Sequence, residues 1–475
     1  MPTPTRPDLL LPAEPGQRAL ARELYALAAE LPIISPHGHV DPALLADDQP
    51  FPDPSRLLIV PDHYVTRMLL SQGVPPADLG VPSRDGSPVE TDGRRIWRRF
   101  ADNWHLFRGT PSRLWLEQTF TDVFGVDTPL SPATADTVYD AVAAKLAEPD
   151  FRPRALFERF GIEVLATTES PLDDLSRHAK LAADGWGGPG GRVVTTFRPD
   201  DVVDMEFDGW PTNVDRLGEI TGEDTGTYAG YLAALRSRRA AFIAAGATSS
   251  DHGHPTARTL DLGDTAATVY DRARRGRAEP GDAEAFRAHM LLEFARMSLD
   301  DGLVMQLHPG AVRNHNRWLH ARHGRDVGGD IPQATEYVHA LAPLLDAYGN
   351  DPRLTVVLYT LDEYTFTREL APLAGGYAAL RLGAPWWFLD SPEVLRRFRE
   401  AVTETAGFYN TAGFVDDTRA FCSIPVRHDV ARRIDAGFLA RLVAEHRLPM
   451  DEAAETIVDL AYRLPKTVFK FGERS

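Results

Sequence analysis

The sequence predicts an α/β protein, a (β/α)8 TIM-like barrel with a helical insertion between strands one and two. Three observations lead there. Short runs rich in Val, Ile, Thr, Phe and Tyr alternate with helical patterns, which implies parallel pairing through helical crossovers. Counting PIISPHGH (32–39) as the first, there are eight such runs. Several of them end in polar residues able to do chemistry, as a barrel whose active site lies at the strand C-terminal ends requires. A doubly wound open sheet is the rival, but no glycine-rich phosphate loop follows the first strand.

The elements follow in order. Residues 17–31 place Leu20, Leu24, Leu27 and Leu31 at helical spacing. PIISPHGH is the first strand. DHYVTRMLLSQG (62–73) reads as a helix capped by Asp62, carrying Val65, Met68 and Leu69 and ending at Gly73. The other strands are IEVLATTE (162–169), RVVTTFRPD (192–200), ATSSDHGH (247–254), LVMQLHPG (303–310), LTVVLYT (354–360), AALRLGAP (378–385) and AGFVDDTR (412–419). The fourth strand is weak on propensity. Helices are predicted over 283–302, with Phe286, Met290, Phe294 and Met297 on one face, and over 391–404, with Ser391 as N-cap and Leu395, Phe398 and Val402 inward.

A barrel needs less chain than this. The excess lies at 40–161 and 201–246, and the first holds NWHLFRGTPSRLWLEQTFTDVFG, dense in Trp and Phe. The expected division is 1–39 for the first helix and strand, 40–161 for a mainly helical insertion over the barrel mouth, and 162–475 for the rest of the barrel.

At 475 residues and 43% hydrophobic, the chain can bury a large core. A net charge of −17 argues against a nucleic-acid or anionic-membrane surface, though arginines in a cleft could still bind a small anion. The single cysteine, Cys422, allows no internal disulfide. The N-terminal stretch MPTPTRPDLLLPAEP is broken by prolines and acids and does not read as a signal peptide. No apolar run approaches the ~20 residues of a membrane span. The expectation is a cytoplasmic protein with no nucleic-acid or membrane partner.

Strand one ends His37-Gly38-His39. On an extended chain, residues two apart face one way, so both imidazoles can point into the barrel mouth. Two neutral imidazoles start a divalent-metal site, and a carboxylate from another strand, Asp417, could complete it. A lone His-x-His also occurs in surface loops and hydrogen-bonded core pairs. Other strand ends carry Arg198, Asp251-His252, His308 with Arg313 and Asn314, and Asp416-Asp417 with Arg419. His63 and Tyr64 fall at a helix N-terminus, where the dipole favours an anion. Trp386, Trp387 and Phe388 follow strand seven and could line a pocket or fill the core.

SPHGH, DHY, TTFRPD, SSDHG, MQLHPGAVRNHN, WWF and DDTRAF, in this order, resemble the uronate (glucuronate) isomerases of the amidohydrolase superfamily. The resemblance runs from about residue 20 to the end. MQLHPGAVRN and DHY are specific, whereas His-x-His is shared across the superfamily. It implies one divalent metal, Zn2+ first among Zn2+, Mn2+, Fe2+ and Ni2+, held by His37 and His39 with Asp417 as ligand or catalytic carboxylate. It implies His63 and Tyr64 at the reacting end of the sugar, with Arg198, Asp251, His308, Arg313, Trp386 and Arg419 around the substrate. Two positions depart from the family pattern: Ser35 stands where Asp is common, and Thr418 where Ser is common.

The implied reaction interconverts D-glucuronate or D-galacturonate and the keto acid, D-fructuronate or D-tagaturonate. A proton leaves carbon 2 and one returns at carbon 1 through an enediol. That chemistry needs a base, an electrophile and a clamp for the distant carboxylate. Asp417 or Tyr64 is the expected base, Tyr64 only if a neighbour such as Arg419 lowers its pKa. Arg198, Arg313 and Arg419 are the candidate clamps. The alternatives are a metal-dependent hydrolase of a sugar-acid lactone or amide and a non-catalytic sugar-acid binder. A homo-oligomer is a further expectation.

Overall fold

In a computed structural model, residues 6–472 are described; residues 1–5 of the proline-broken N-terminal stretch and 473–475 at the end of the last segment lie outside the described residues. The architecture is a seven-stranded parallel sheet, with helices between its strands. Its strands are β1 (Ile33–Ser35), β2 (Ile162–Glu169), β3 (Val193–Phe197), β4 (Ser249–His252) and β5 (Val304–Leu307). After β5 comes an antiparallel hairpin, β6 (Ala311–Val312) and β7 (Ile331–Pro332), and the sheet resumes with β8 (Val356–Leu358) and β9 (Leu380–Leu382). The order is β1-β2-β3-β4-β5-β8-β9.

Two expected strands come out differently. β1 stops at Ser35, because Pro36 has no N–H to continue the ladder. His37 and His39 therefore sit beyond the strand. The eighth segment makes no ladder. One parallel bridge joins Thr411 to Leu382, and one backbone bond of 3.0 Å runs from His39 N–H to the Thr418 carbonyl. Gly413 (φ +76°) and Asp417 (φ +39°) are left-handed, so the chain breaks from an extended course at both. β4, weak on propensity, forms because its four buried residues pair in register with β5, so that tertiary pairing decides the outcome.

The helices largely follow their patterns. Asp282–Asp301 buries Phe286, Met290, Phe294 and Met297 and stops at left-handed Gly302. Pro392–Ala406 starts at Ser391, whose hydroxyl accepts from Val394 N–H, and buries Leu395, Phe398 and Val402. The first helix spans Pro15–Ala28 rather than 17–31, because Glu14 caps it by accepting from Gly16 and Gln17. It packs through Ala21, Leu24 and Ala28 against Ala436, Leu439 and Ala440 of the helix Ile424–Ala444, while Leu27 faces outward. Small side chains on both faces allow that close packing.

Between β1 and β2 the described residues form only helices and turns. Their core is aromatic, with Trp97, Phe100, Trp104 and Phe107 meeting mostly edge to face. Residues 201–246 are also mainly helical. Among the described residues no helix is long and apolar enough to cross a membrane.

Arg432, buried on Ile424–Ala444, anchors the entry to β1. It donates to the carbonyls of Ala29, Leu31 and Pro32 at 2.8–3.1 Å. Arg432→Ala leaves these carbonyls without their donor. The expected loss is about 3 kcal/mol in urea unfolding. Activity should fall beyond the loss of folded protein, because the chain leading to His37 loosens.

Candidate functional site

His37, His39 and Asp417 meet beside the sheet's C-terminal edge. Asp417 Oδ1 lies 3.5 Å from His37 Nε2 and 3.2 Å from His39 Nε2. Two bonds hold the His-Gly-His turn: His39 N–H to Thr418, and the Thr168 hydroxyl to the Gly38 carbonyl at 2.9 Å. The His37 ring stacks on His308, with centroids 4.6 Å apart. His308 is fixed on three sides. Its Nδ1 bonds Asp251 Oδ1 at 2.6 Å, Tyr359 stacks on it at 3.9 Å, and Trp386 meets it edge-on at 4.6 Å.

These residues fit a divalent metal. Asp417 Oδ1 and His308 Nε2 are buried with no hydrogen-bond partner. The ligand atoms of His37, His39 and Asp417 lie within 4.8 Å of one another, as do those of His37, Asp251 and His308. Such imidazole-carboxylate sets suit borderline transition metals. Burial pulls His37 and His39 below the usual imidazole range, leaving them neutral as ligands must be. Burial opposes ionisation of Asp417, but the facing imidazoles of His37 and His39 outweigh it and hold the carboxyl well below the usual range.

The cluster opens into a cavity of about 350 Å³, within the size range of small-ligand sites. His63, Tyr64, Arg198, His308, Arg313, Trp386, Asp417 and Arg419 all line it. Asp251 does not. It lies behind the wall, where its other oxygen is 3.0 Å from Arg198. Arg198 also donates through Nε to Asp200 at 3.0 Å, so it is braced on two sides. Arg313 is held by Asp330 at 3.0 Å and lies over Trp387. Arg419 pairs with Asp326 at 3.3 Å. Trp386 and Trp387 are both buried and also line the cavity, so the two readings of these aromatics hold together.

The helix His63–Leu70 begins at Asp62, whose carboxylate takes the Tyr64 N–H at 2.8 Å. The anion at that N-terminus is therefore the chain's own. Burial pulls His63 down to about 3, so its ring is neutral. The expectation that Arg419 lowers Tyr64 fails. Burial pushes that phenol well above its usual range, and the main opposing charge is Arg427, 5.4 Å from the ring centre.

Sequence reasoning missed several groups. Asp326 and Asp330 sit in GRDVGGD (324–330), a glycine-marked turn that follows the MQLHPGAVRN motif closely and could have been read as part of it. Arg427 carries no pattern of its own, and Asp200 closes TTFRPD but was given no role. Asn314, Asp326, Trp387 and Asp417 all have positive φ and all line the cavity. Such strained backbone clusters at functional sites. Glu169, ending β2, also lines the cavity and accepts from Thr167 and Thr195.

Burial pushes Glu169 up to about 8. Its folded pKa lies above the unfolded one, so the folded state binds this proton more tightly. The stability it contributes is full below the unfolded carboxyl pKa and is lost as pH rises through about 8. Between about pH 5.5 and about pH 8.5, the wild type should lose about 1–3 kcal/mol more in urea unfolding than Glu169→Gln does.

The chain's likeness to known proteins extends over nearly its whole length. A glucuronate isomerase family model matches residues 16–469. The uronate isomerase of Rhizobium meliloti (strain 1021) is 62% identical over 465 residues, covering 98% of each chain. The crystal structure of glucuronate isomerase from Caulobacter crescentus superposes with a TM-score of 0.96 at 57% identity, covering 98% of this chain and 97% of that one. Uronate isomerase from Thermotoga maritima gives 0.90 at 28% identity, covering 97% and 98%. With a glucuronate isomerase model matched over residues 16–469 and a uronate isomerase 62% identical over 98% of the chain, the chain belongs to the glucuronate (uronate) isomerase family.

Proposed function

We propose that this protein interconverts a hexuronate, D-glucuronate or D-galacturonate, and its keto acid, D-fructuronate or D-tagaturonate, by proton transfer through an enediol. The observation that carries this reading is the likeness to uronate isomerases over 98% of the chain. We read the seven-stranded sheet as a (β/α)8 barrel whose eighth strand is the irregular segment 411–418. The 40–161 segment is read as a helical insertion over its mouth, which the cavity-lining run Pro61–Tyr64 supports.

A single divalent ion would be held by His37, His39 and Asp417, with His308 beside them. When bound, it supplies Lewis-acid polarisation of substrate oxygens. The chain's own groups do the rest. Asp417, held ionised, is the base that takes the proton from carbon 2 and, after exchange with solvent, delivers one at carbon 1. Tyr64 stays protonated and donates a hydrogen bond to a sugar oxygen. Neutral His63 does the same from the adjacent turn. Arg313 and Arg419, each about a third exposed, have donors left for the uronate carboxylate. Arg198, braced by Asp200 and Asp251, is a fixed charge on the same wall. Asp251 positions His308 and Arg198 from behind, and Trp386 closes the apolar side.

Incubation with D-glucuronate and D-galacturonate in deuterated water tests the reaction. Ketose should form, with deuterium at carbon 1. No ketose from either uronate overturns the reading. His37→Ala and Asp417→Asn test the centre. Both should purify with less bound divalent metal by elemental analysis, and turnover should fall by about 100-fold or more. Full metal content in both variants would remove these residues from the metal site.

A further inference from the structure

Arg419, proposed to meet the substrate's carboxylate, already faces a carboxylate of this chain. Asp326 lies in the loop between β6 and β7, and its Oδ2 is 3.3 Å from Arg419 Nη2. Burial pushes its carboxyl up, but Arg419, Arg313 and Arg198 outweigh that and hold it down at about 2. Asp326 is therefore ionised, half-exposed and on the cavity wall. Its loop is braced on several sides. Arg325 lies over Phe207 at 3.8 Å, and Arg84 N–H bonds the Arg322 carbonyl at 2.7 Å. A side chain at Gly328 would come within 3.2 Å of Arg67 Cβ. The backbone of Asp326 itself is left-handed (φ +60°), which Asp and Asn tolerate better than most residues.

We propose that Asp326 is an affinity-setting residue: its carboxylate pairs with Arg419 on the cavity wall, and an incoming sugar acid must compete with it for that guanidinium group. This rests on the uronate reading of the site. Two anions sharing one cluster of arginines repel each other, so the chain's own carboxylate weakens binding of the substrate's carboxylate and leaves neutral sugars unaffected. In an Asp326→Asn variant the shape and the left-handed residue are retained and only the charge is lost.

The test uses calorimetry on the purified, metal-loaded protein. L-gulonate is D-glucuronate with its aldehyde reduced; it keeps the carboxylate and cannot enolise. D-glucitol is its neutral counterpart. Asp326→Asn should bind L-gulonate about 3- to 10-fold more tightly than the wild type, with no gain for D-glucitol. Asp326→Ser serves equally if the first variant misfolds. Structural damage weakens binding, so a gain is a readout that a purely structural role does not produce. Unchanged or weaker L-gulonate binding overturns the proposal, as does equal tightening of D-glucitol, which would mean added space rather than removed charge. If neither protein binds L-gulonate and the wild type turns over no uronate, the uronate reading fails as well. If the wild type isomerises uronate and the variant does not tighten, only this proposal fails.

Discussion

The buried carboxylate of Asp251 joins the two halves of the site. It has no exposed surface, so its charge must be matched by the protein. One oxygen fixes the tautomer and tilt of His308, and the other faces Arg198. Burial alone would protonate it, but Arg198 and His308 hold it ionised. Through His308 it sets the imidazole-carboxylate cluster, and through Arg198 it sets one wall of the cavity. Loss of this one ion would leave His308 free to turn and Arg198 braced only by Asp200.

The scaffold around Asp251 is regular where it needs rigidity and irregular where it needs chemistry. β4 and β5 place Asp251 and His308 from paired, buried strands. The two segments that bring His37, His39 and Asp417 are not strands at all where those residues sit. Proline ends β1 early, and left-handed residues break up the eighth segment. The looser backbone lets His37, His39 and Asp417 converge, at the cost of strain that the Thr418–His39 and Thr168–Gly38 bonds help to hold.

The cavity combines fixed cations with several carboxylates, which is unusual for a site meant for an anion. Each has a local explanation. Glu169 is neutral over much of the physiological range. Asp200 and Asp330 orient Arg198 and Arg313. Asp326 stands apart, because it is half-exposed on the cavity wall, whereas Asp330, which holds Arg313, is buried.

The sequence by itself determined the alternation of strand and helix, because parallel crossovers leave a periodic signature. It also determined β2 to the residue and the inward faces of the helices Asp282–Asp301 and Pro392–Ala406. The residues at the strand ends were legible because polar groups after buried runs are uncommon without a purpose. Only the tertiary structure decided the rest. Leu27 turned outward, since close packing against Ala436 and Ala440 selected Ala21, Leu24 and Ala28. Tyr64 kept its proton, because burial outweighs a cation whose position no pattern encodes. Asp251 went behind the wall and Asp326 onto it, because charge pairing across the chain, at separations of 53 and 93 residues, leaves no periodic trace in the sequence.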